Sequence, residues 1–175
     1  RYEYDRQDRL ILKTNADQTT VRTQYNLWRT RTTDEDNRVR IEDRDARGNV
    51  LGSSYDDGTE VTRVEHIYDR LGRRRGTTDA LGNTWTYLYN SIGWLRRTKD
   101  ADRGVSTTDY YLNGLPQTVR DAIGAVTSIT YDALGRQRSV VVKAPNKTTL
   151  TTNRTYDQVR AGYFNIGQET SLSDA

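Results

Sequence analysis

Residues 68–136 read YDRLGRRRGTTDALGNTWTYLYNSIGWLRRTKDADRGVSTTDYYLNGLPQTVRDAIGAVTSITYDALGR, and their spacing decides the fold. Tyr68, Tyr89, Tyr110 and Tyr131 recur every 21 residues, and Gly72, Gly93, Gly114 and Gly135 follow them four residues later. Asp79, Asp100 and Asp121 keep the same period. Three residue types held in phase over successive copies mark a tandem repeat rather than a composition bias.

Each copy reads as two short strands and two turns. Asp69-Arg70-Leu71-Gly72 and Asp79-Ala80-Leu81-Gly82 place Asp first and Gly fourth, as do Asp121 with Gly124 and Asp132 with Gly135. This is the preference of a type I turn, in which the Asp side chain caps the turn and Gly takes the left-handed exit. The intervening residues 73–78 and 83–89 are rich in Thr, Tyr and Trp, which suit a pleated surface. The 25 threonines fit the same reading. The prolines are only two, and Pro116 falls at a strand start, where a missing N–H is tolerated. The expected fold is all-β, built of β-hairpin repeats in a continuous antiparallel sheet, with no helix.

Outward from this block the frame loosens. From Tyr4 to Tyr25 the interval is again 21, but Asp8 stands for the turn glycine and Asn15 for the aspartate. In the next copy Arg44 stands where a tyrosine belongs, 19 residues on, and Gly48 keeps the frame. The two missing residues fall in the turn between Tyr25-Asn26 and Leu27-Trp28-Arg29. The third copy carries an insertion near Ser53-Ser54-Tyr55-Asp56-Asp57-Gly58, and the interval from Tyr131 to Tyr156 stretches to 25 around Pro145-Asn146. The repeat segment is set at residues 1–157, about seven hairpins. Residues 158–175 read as a degenerate continuation or a linker. The chain opens at Arg1 inside a repeat, which reads as a piece of a longer protein.

The apolar stock is thin: Leu, Ile, Val and Phe make up 33 of 175 residues. A formal charge of only +3 and 12 tyrosines nevertheless argue against a disordered chain. The strand patterns explain the shortage. Trp85, Tyr87 and Tyr89 alternate with Thr84, Thr86 and Leu88, and Leu95-Arg96-Arg97-Thr98-Lys99 is more polar still. Neither face is apolar enough for sandwich packing. Such a sheet, wet on both sides, draws its stability from the ladder and from cross-strand pairs, each unit leaning on its neighbours.

Candidate chemistry is sparse. His66 is the only histidine and there is no cysteine, so thiolate sites and His-based relays lack material. Asp34-Glu35-Asp36, Asp43 with Asp45, and Asp56-Asp57 fall at expected turns, where Asp acts as a cap. Asp34-x-Asp36-Asn37 lacks the downstream Glu of a calcium loop, and Gly48–Gly52 lacks the lysine and helix of a phosphate loop. The Arg73-Arg74-Arg75 cluster is balanced by Asp69 and Asp79, so a nucleic-acid surface is not expected, nor a cofactor, a metal or a membrane span. The sequons at Asn146 and Asn153 bear on a eukaryotic secretory route only.

At YDRLGR, YDALGR, TTDALGN and TWTYLYN the chain resembles the YD repeats of the Rhs family, which includes Rhs polymorphic toxins, B and C components of bacterial Tc toxins, and animal teneurins. The resemblance implies hairpins joined into one long curved sheet, part of a hollow shell. In the bacterial members that shell encloses a C-terminal toxic domain, so it implies a secreted or cell-delivered protein whose partners are flanking repeats, the enclosed toxin and a component of the delivery machinery. No match occurs to the family's aspartate-bearing block that precedes the toxin, so no protease residue is carried over. The positions that match are scaffold positions: Tyr68, Gly72, Asp79, Gly82, Tyr89, Gly93, Asp100, Tyr110, Gly114, Asp121, Gly124, Tyr131, Asp132 and Gly135. The expected function is a non-catalytic wall that encapsulates an effector. The alternative is a repeat surface protein that binds carbohydrate or another cell, with Trp28, Trp85 and Trp94 as contacts; their other reading is cross-strand packing.

Overall fold

The computed structural model describes residues 1–159 and 161–174, and among them every regular element is a strand. Contacts divide the chain into residues 1–86 and 87–175. The first unit holds β1 (Tyr2–Tyr4), β2 (Leu10–Thr14), β3 (Thr20–Asn26), β4 (Arg29–Thr33), β5 (Val39–Arg44), β6 (Val50–Asp56), β7 (Val61–Tyr68), β8 (Arg74–Thr78) and the start of β9 (Thr84–Tyr89). The second holds the end of β9 and β10 (Leu95–Asp100), β11 (Gly104–Tyr110), β12 (Pro116–Arg120), β13 (Val126–Tyr131), β14 (Gln137–Lys143), β15 (Leu150–Tyr156) and β16 (Glu169–Asp174). Strand order follows chain order, and the registered pairs within each unit are antiparallel. The expected all-β hairpin sheet is what the chain forms.

The turn Asp69–Arg73 shows why these residues fold this way. Gly72 N–H donates to the Asp69 carbonyl at 3.0 Å and Asp69 N–H to the Arg73 carbonyl at 2.9 Å, closing a type I turn with a bulge. Gly72 occupies the left-handed position at φ 77°, where a side chain on an L-residue is strained. The Asp69 carboxylate accepts from the backbone N–H of Leu71 and of Arg73, both at 2.9 Å. Register shifts accompany such turns between Ile67 and Tyr68, Asp109 and Tyr110, and Thr130 and Tyr131. The extra residue raises the local twist.

The irregular copies are absorbed locally. The turn short of two residues becomes a two-residue hairpin, Asn26 pairing with Arg29 across Leu27-Trp28. It forces Leu27 to φ 43°. The insertion in the third copy lengthens β6 and β7 to 7 and 8 residues. The longer interval before Tyr156 is shared between 7-residue strands β14 and β15 and a turn in which Lys147 N–H donates to the Ala144 carbonyl at 3.2 Å. In the tail, β16 pairs with β15 from Tyr156↔Glu169 to Thr152↔Asp174. Arg160 and Ala175 of the stretch 158–175 lie outside the described residues.

No large hydrophobic side chain is buried among the described residues. Among the described residues only Gly52 and Gly76 are buried. There is no core in the usual sense, and the molecule is held by its ladder and by what happens at the turns.

Candidate functional site

The repeat positions converge on one recurring device at the turns. Tyr110 closes β11, and its hydroxyl donates to the carbonyl of Leu95, the first residue of β10, at 2.7 Å. Tyr68 does the same to Val50 at the head of β6 (3.0 Å), and Tyr156 to Gln137 at the head of β14 (2.7 Å). Tyr25 reaches Leu10 at the head of β2 at 3.3 Å. Each ring spans the mouth of a hairpin and ties the end of one strand to the exit of the previous turn. Phenylalanine cannot make that bond, so these four positions call for Tyr.

The aspartates at these turns act as caps. Asp79 accepts from Leu81 N–H and Asn83 N–H, Asp121 from Ile123 N–H and Ala125 N–H, and Asp132 from Leu134 N–H and Arg136 N–H. Asp100 accepts from Asp102 N–H and Arg103 N–H at 2.9 Å each. Gly82, Gly93, Gly114, Gly124 and Gly135 all have φ between 79° and 97°. Tyr89 closes β9. Tyr131 lies edge-on to Tyr111 at 6.0 Å, and burial followed by the neighbouring Tyr111 pushes its hydroxyl pKa up.

One recurring residue was missing from the sequence-derived set. The side chain four positions after the capping Asp closes the turn on the second carboxylate oxygen: Arg9 to Asp5, Arg73 to Asp69 and Arg136 to Asp132, each at 2.7 Å. Asn49 to Asp45 and Asn83 to Asp79 do so at 2.8 Å. Arg136 goes further. It pairs with Asp157 of the following copy at 2.6 Å, and its guanidinium lies 4.3 Å from the centre of the Tyr156 ring. That bond from Arg136, followed by Gly167 N–H, holds the Asp157 carboxyl below its ordinary range. Arg9 stacks on Tyr25 at 4.4 Å in the same way. The signal was present in YDALGR itself: the arginine after the glycine couples one copy to the next.

The other candidates are placed in structural roles. Asp34 caps its turn through Asp36 N–H and Arg38 N–H, and Asp56 and Asp57 cap the turn that follows β6. Asp43 departs from the turn expectation: it lies on β5 and forms a two-pronged pair with Arg29 of β4, at 2.6 and 2.9 Å. Cross-strand register places them opposite one another, so the planar guanidinium meets the carboxylate squarely. His66 bonds Thr77 across β7 and β8 at 3.1 Å. Burial, then the charge of Arg74, pushes its pKa below the usual value. Among the described residues no group of His, Cys, Asp and Glu is arranged to hold a metal.

The tryptophans separate. Trp94 packs on Tyr110 with centroids 5.2 Å apart and covers Gly114, whose missing Cβ would lie 3.0 Å from the indole. Trp85 is half-buried on β9. Trp28, on the two-residue turn, is 50% exposed.

Residues 68–107 match the family model described as RHS Repeat. That stretch, which begins at Tyr68, is therefore similar to RHS repeat sequence, in agreement with the resemblance read from its motifs. No curated protein matches the chain. Among solved structures it is similar to TcdB2-TccC3 without its hypervariable C-terminal region and to TcdB2-TccC3-TEV, each at 20% identity and a TM-score of 0.75. It is similar also to a Photorhabdus luminescens Tc holotoxin pore with a mutated TccC3, at 19% identity and a TM-score of 0.73. In all three the match covers 89% of this chain and 9% of the other, so the chain spans about a tenth of the length of those proteins. At this identity the likeness is one of fold.

Proposed function

We propose that the chain is a non-catalytic length of wall in an Rhs-type toxin shell, which encloses a C-terminal effector and is secreted or delivered from a bacterial cell. The observation that carries this reading is a long hairpin sheet without a core, whose copies are coupled to one another by Tyr–carbonyl and Arg–Asp bonds. A sheet that needs no second layer can be wet on both sides, which a hollow wall requires and a packed domain does not. Its partners on this reading are the flanking repeats, the enclosed polypeptide and a delivery component. The likeness in fold to TcdB2-TccC3 supports the same reading. The scaffold positions from Tyr68 to Gly135 then serve the wall and take no part in chemistry.

Limited proteolysis of the full-length parent, read by intact mass, tests this. A C-terminal segment that survives inside an uncut shell, and becomes labile once the shell is opened, is the expected result. Immediate digestion of that segment while the repeats persist would make the repeats a display scaffold and overturn the enclosure reading.

A further inference from the structure

The whole basic surplus of the chain lies in its second unit. Residues 1–86 carry 16 basic and 16 acidic residues, and residues 87–175 carry 11 and 8. Register collects part of that surplus into a line. Arg97 pairs with Thr107, Thr107 with Arg120, Arg120 with Val126, and Val126 with Lys143. Residues directly opposite in an antiparallel ladder share a face, so Arg97, Arg120 and Lys143 stand in one row across β10, β12 and β14, with small Thr107 and Val126 between them. All three are exposed, and among the described residues none has a carboxylate within ion-pair reach. Two other cations of this unit are matched: Arg136 lies between Asp132 and Asp157, and Arg154 meets Glu169 at 3.2 Å.

We propose that this row is a docking surface for an acidic polypeptide in an extended, polyproline II-like conformation. Neighbouring strands lie about 4.8 Å apart, so cations on alternate strands recur roughly every 9.6 Å. A polyproline II chain has three residues per turn and rises about 3.1 Å per residue, so every third side chain faces the same way at roughly 9.3 Å. An acidic residue at each third position therefore meets one cation after another, with charges of opposite sign in step. A β-extended partner, repeating on one face at about 6.8 Å, falls out of step after the first contact. Thr107 and Val126, which separate the cations along the row, offer no ring on which bases could stack. The one acid along β11 on this side, Asp109, lies 3.7 Å from Arg96. The inference stands apart from the wall reading, since it concerns what the face binds and not what the shell encloses.

The test uses the full chain tethered at low density on a biosensor surface. The probes are a Glu-Pro-Pro repeat peptide and a Glu-Pro repeat peptide with equal numbers of glutamates, together with a sulfated polysaccharide and duplex DNA. Three exposed pairs in register predict roughly tenfold tighter binding of the Glu-Pro-Pro peptide, weakening as salt is raised. The triple variant Arg97→Gln, Arg120→Gln, Lys143→Gln should lose that preference. The charge-matched triple Arg103→Gln, Arg138→Gln, Lys147→Gln should keep it. Equal binding of the two peptides, tighter binding of polysaccharide or DNA, or equal loss in the two triples would each overturn the proposal. The peptide comparison on the unaltered chain decides the matter even if the row triple fails to fold.

Discussion

Gly114→Ala and Gly124→Ala form a matched pair in which only one has a neighbour in the way. Both glycines lie at left-handed φ, 88° and 83°, and both close turns of the second unit. Forcing alanine into that conformation costs about 1–2 kcal/mol. The reduced freedom of the unfolded chain offsets about 0.4–1 kcal/mol of it. Gly124→Ala should therefore destabilise by roughly 1 kcal/mol, because its new Cβ would meet only Pro145 at an ordinary 3.5 Å. At Gly114 the Cβ would lie 3.0 and 3.3 Å from two atoms of the Trp94 indole. That ring is itself held against Tyr110, so it cannot swing away without losing a packed partner. Overpacking of this kind adds about 1–3 kcal/mol, giving roughly 2–4 kcal/mol in all. Urea unfolding of the two variants, followed by tryptophan emission and by circular dichroism, measures the difference. Adding Trp94→Leu to each closes a double-mutant cycle, and the excess at Gly114 should then vanish. Losses equal within about 0.5 kcal/mol before Trp94 is changed would refute the reasoning.

Other expectations follow from the same turns. Leu27→Gly should raise stability by about 0.5–1 kcal/mol, because it relieves a φ of 43° at a leucine that is 85% exposed; a lower urea midpoint would contradict this. Tyr110→Phe, which deletes the 2.7 Å bond to the Leu95 carbonyl, should lose about 1 kcal/mol in the same assay, and an unchanged midpoint would remove the tyrosine from the lattice. Acid should weaken the fold. The Thr59 hydroxyl, then the Glu60 and Thr59 N–H groups, hold Asp57 at about 2, below its unfolded value of 3.8. A depressed carboxyl stabilises the fold above its unfolded pKa, and this is lost as pH falls from about 4 towards 2. The melting temperature should therefore fall over that window, less so in Asp57→Asn; a flat profile would count against the caps. Finally, β1 and β16 each have one strand neighbour, so the isolated chain should associate through open edges. Sedimentation at rising concentration checks this, and a monomer throughout would show that the edges are protected.

The sequence by itself determined the repeat, its all-β character and the turn chemistry. Tyr, Asp and Gly at fixed spacing are local instructions: Asp caps its own turn and Gly takes the left-handed exit, whatever lies farther off. The absence of a core was legible too, in strands such as Leu95–Asp100 that offer neither face to a partner sheet. The tertiary structure decided what depends on register. Asp43 reads as a turn residue from its neighbours in sequence, yet β4 sets Arg29 opposite it. Arg136 looks like ordinary strand polarity until Asp157, 21 residues on, is brought against it. Trp94 could have been an exposed contact, and only the approach of Gly114 shows that it is packed. The row of Arg97, Arg120 and Lys143 exists only across strands. Short-range rules act within a turn of chain and can be read along it, whereas pairing across strands follows from register, which bulges shift and no single stretch of sequence contains.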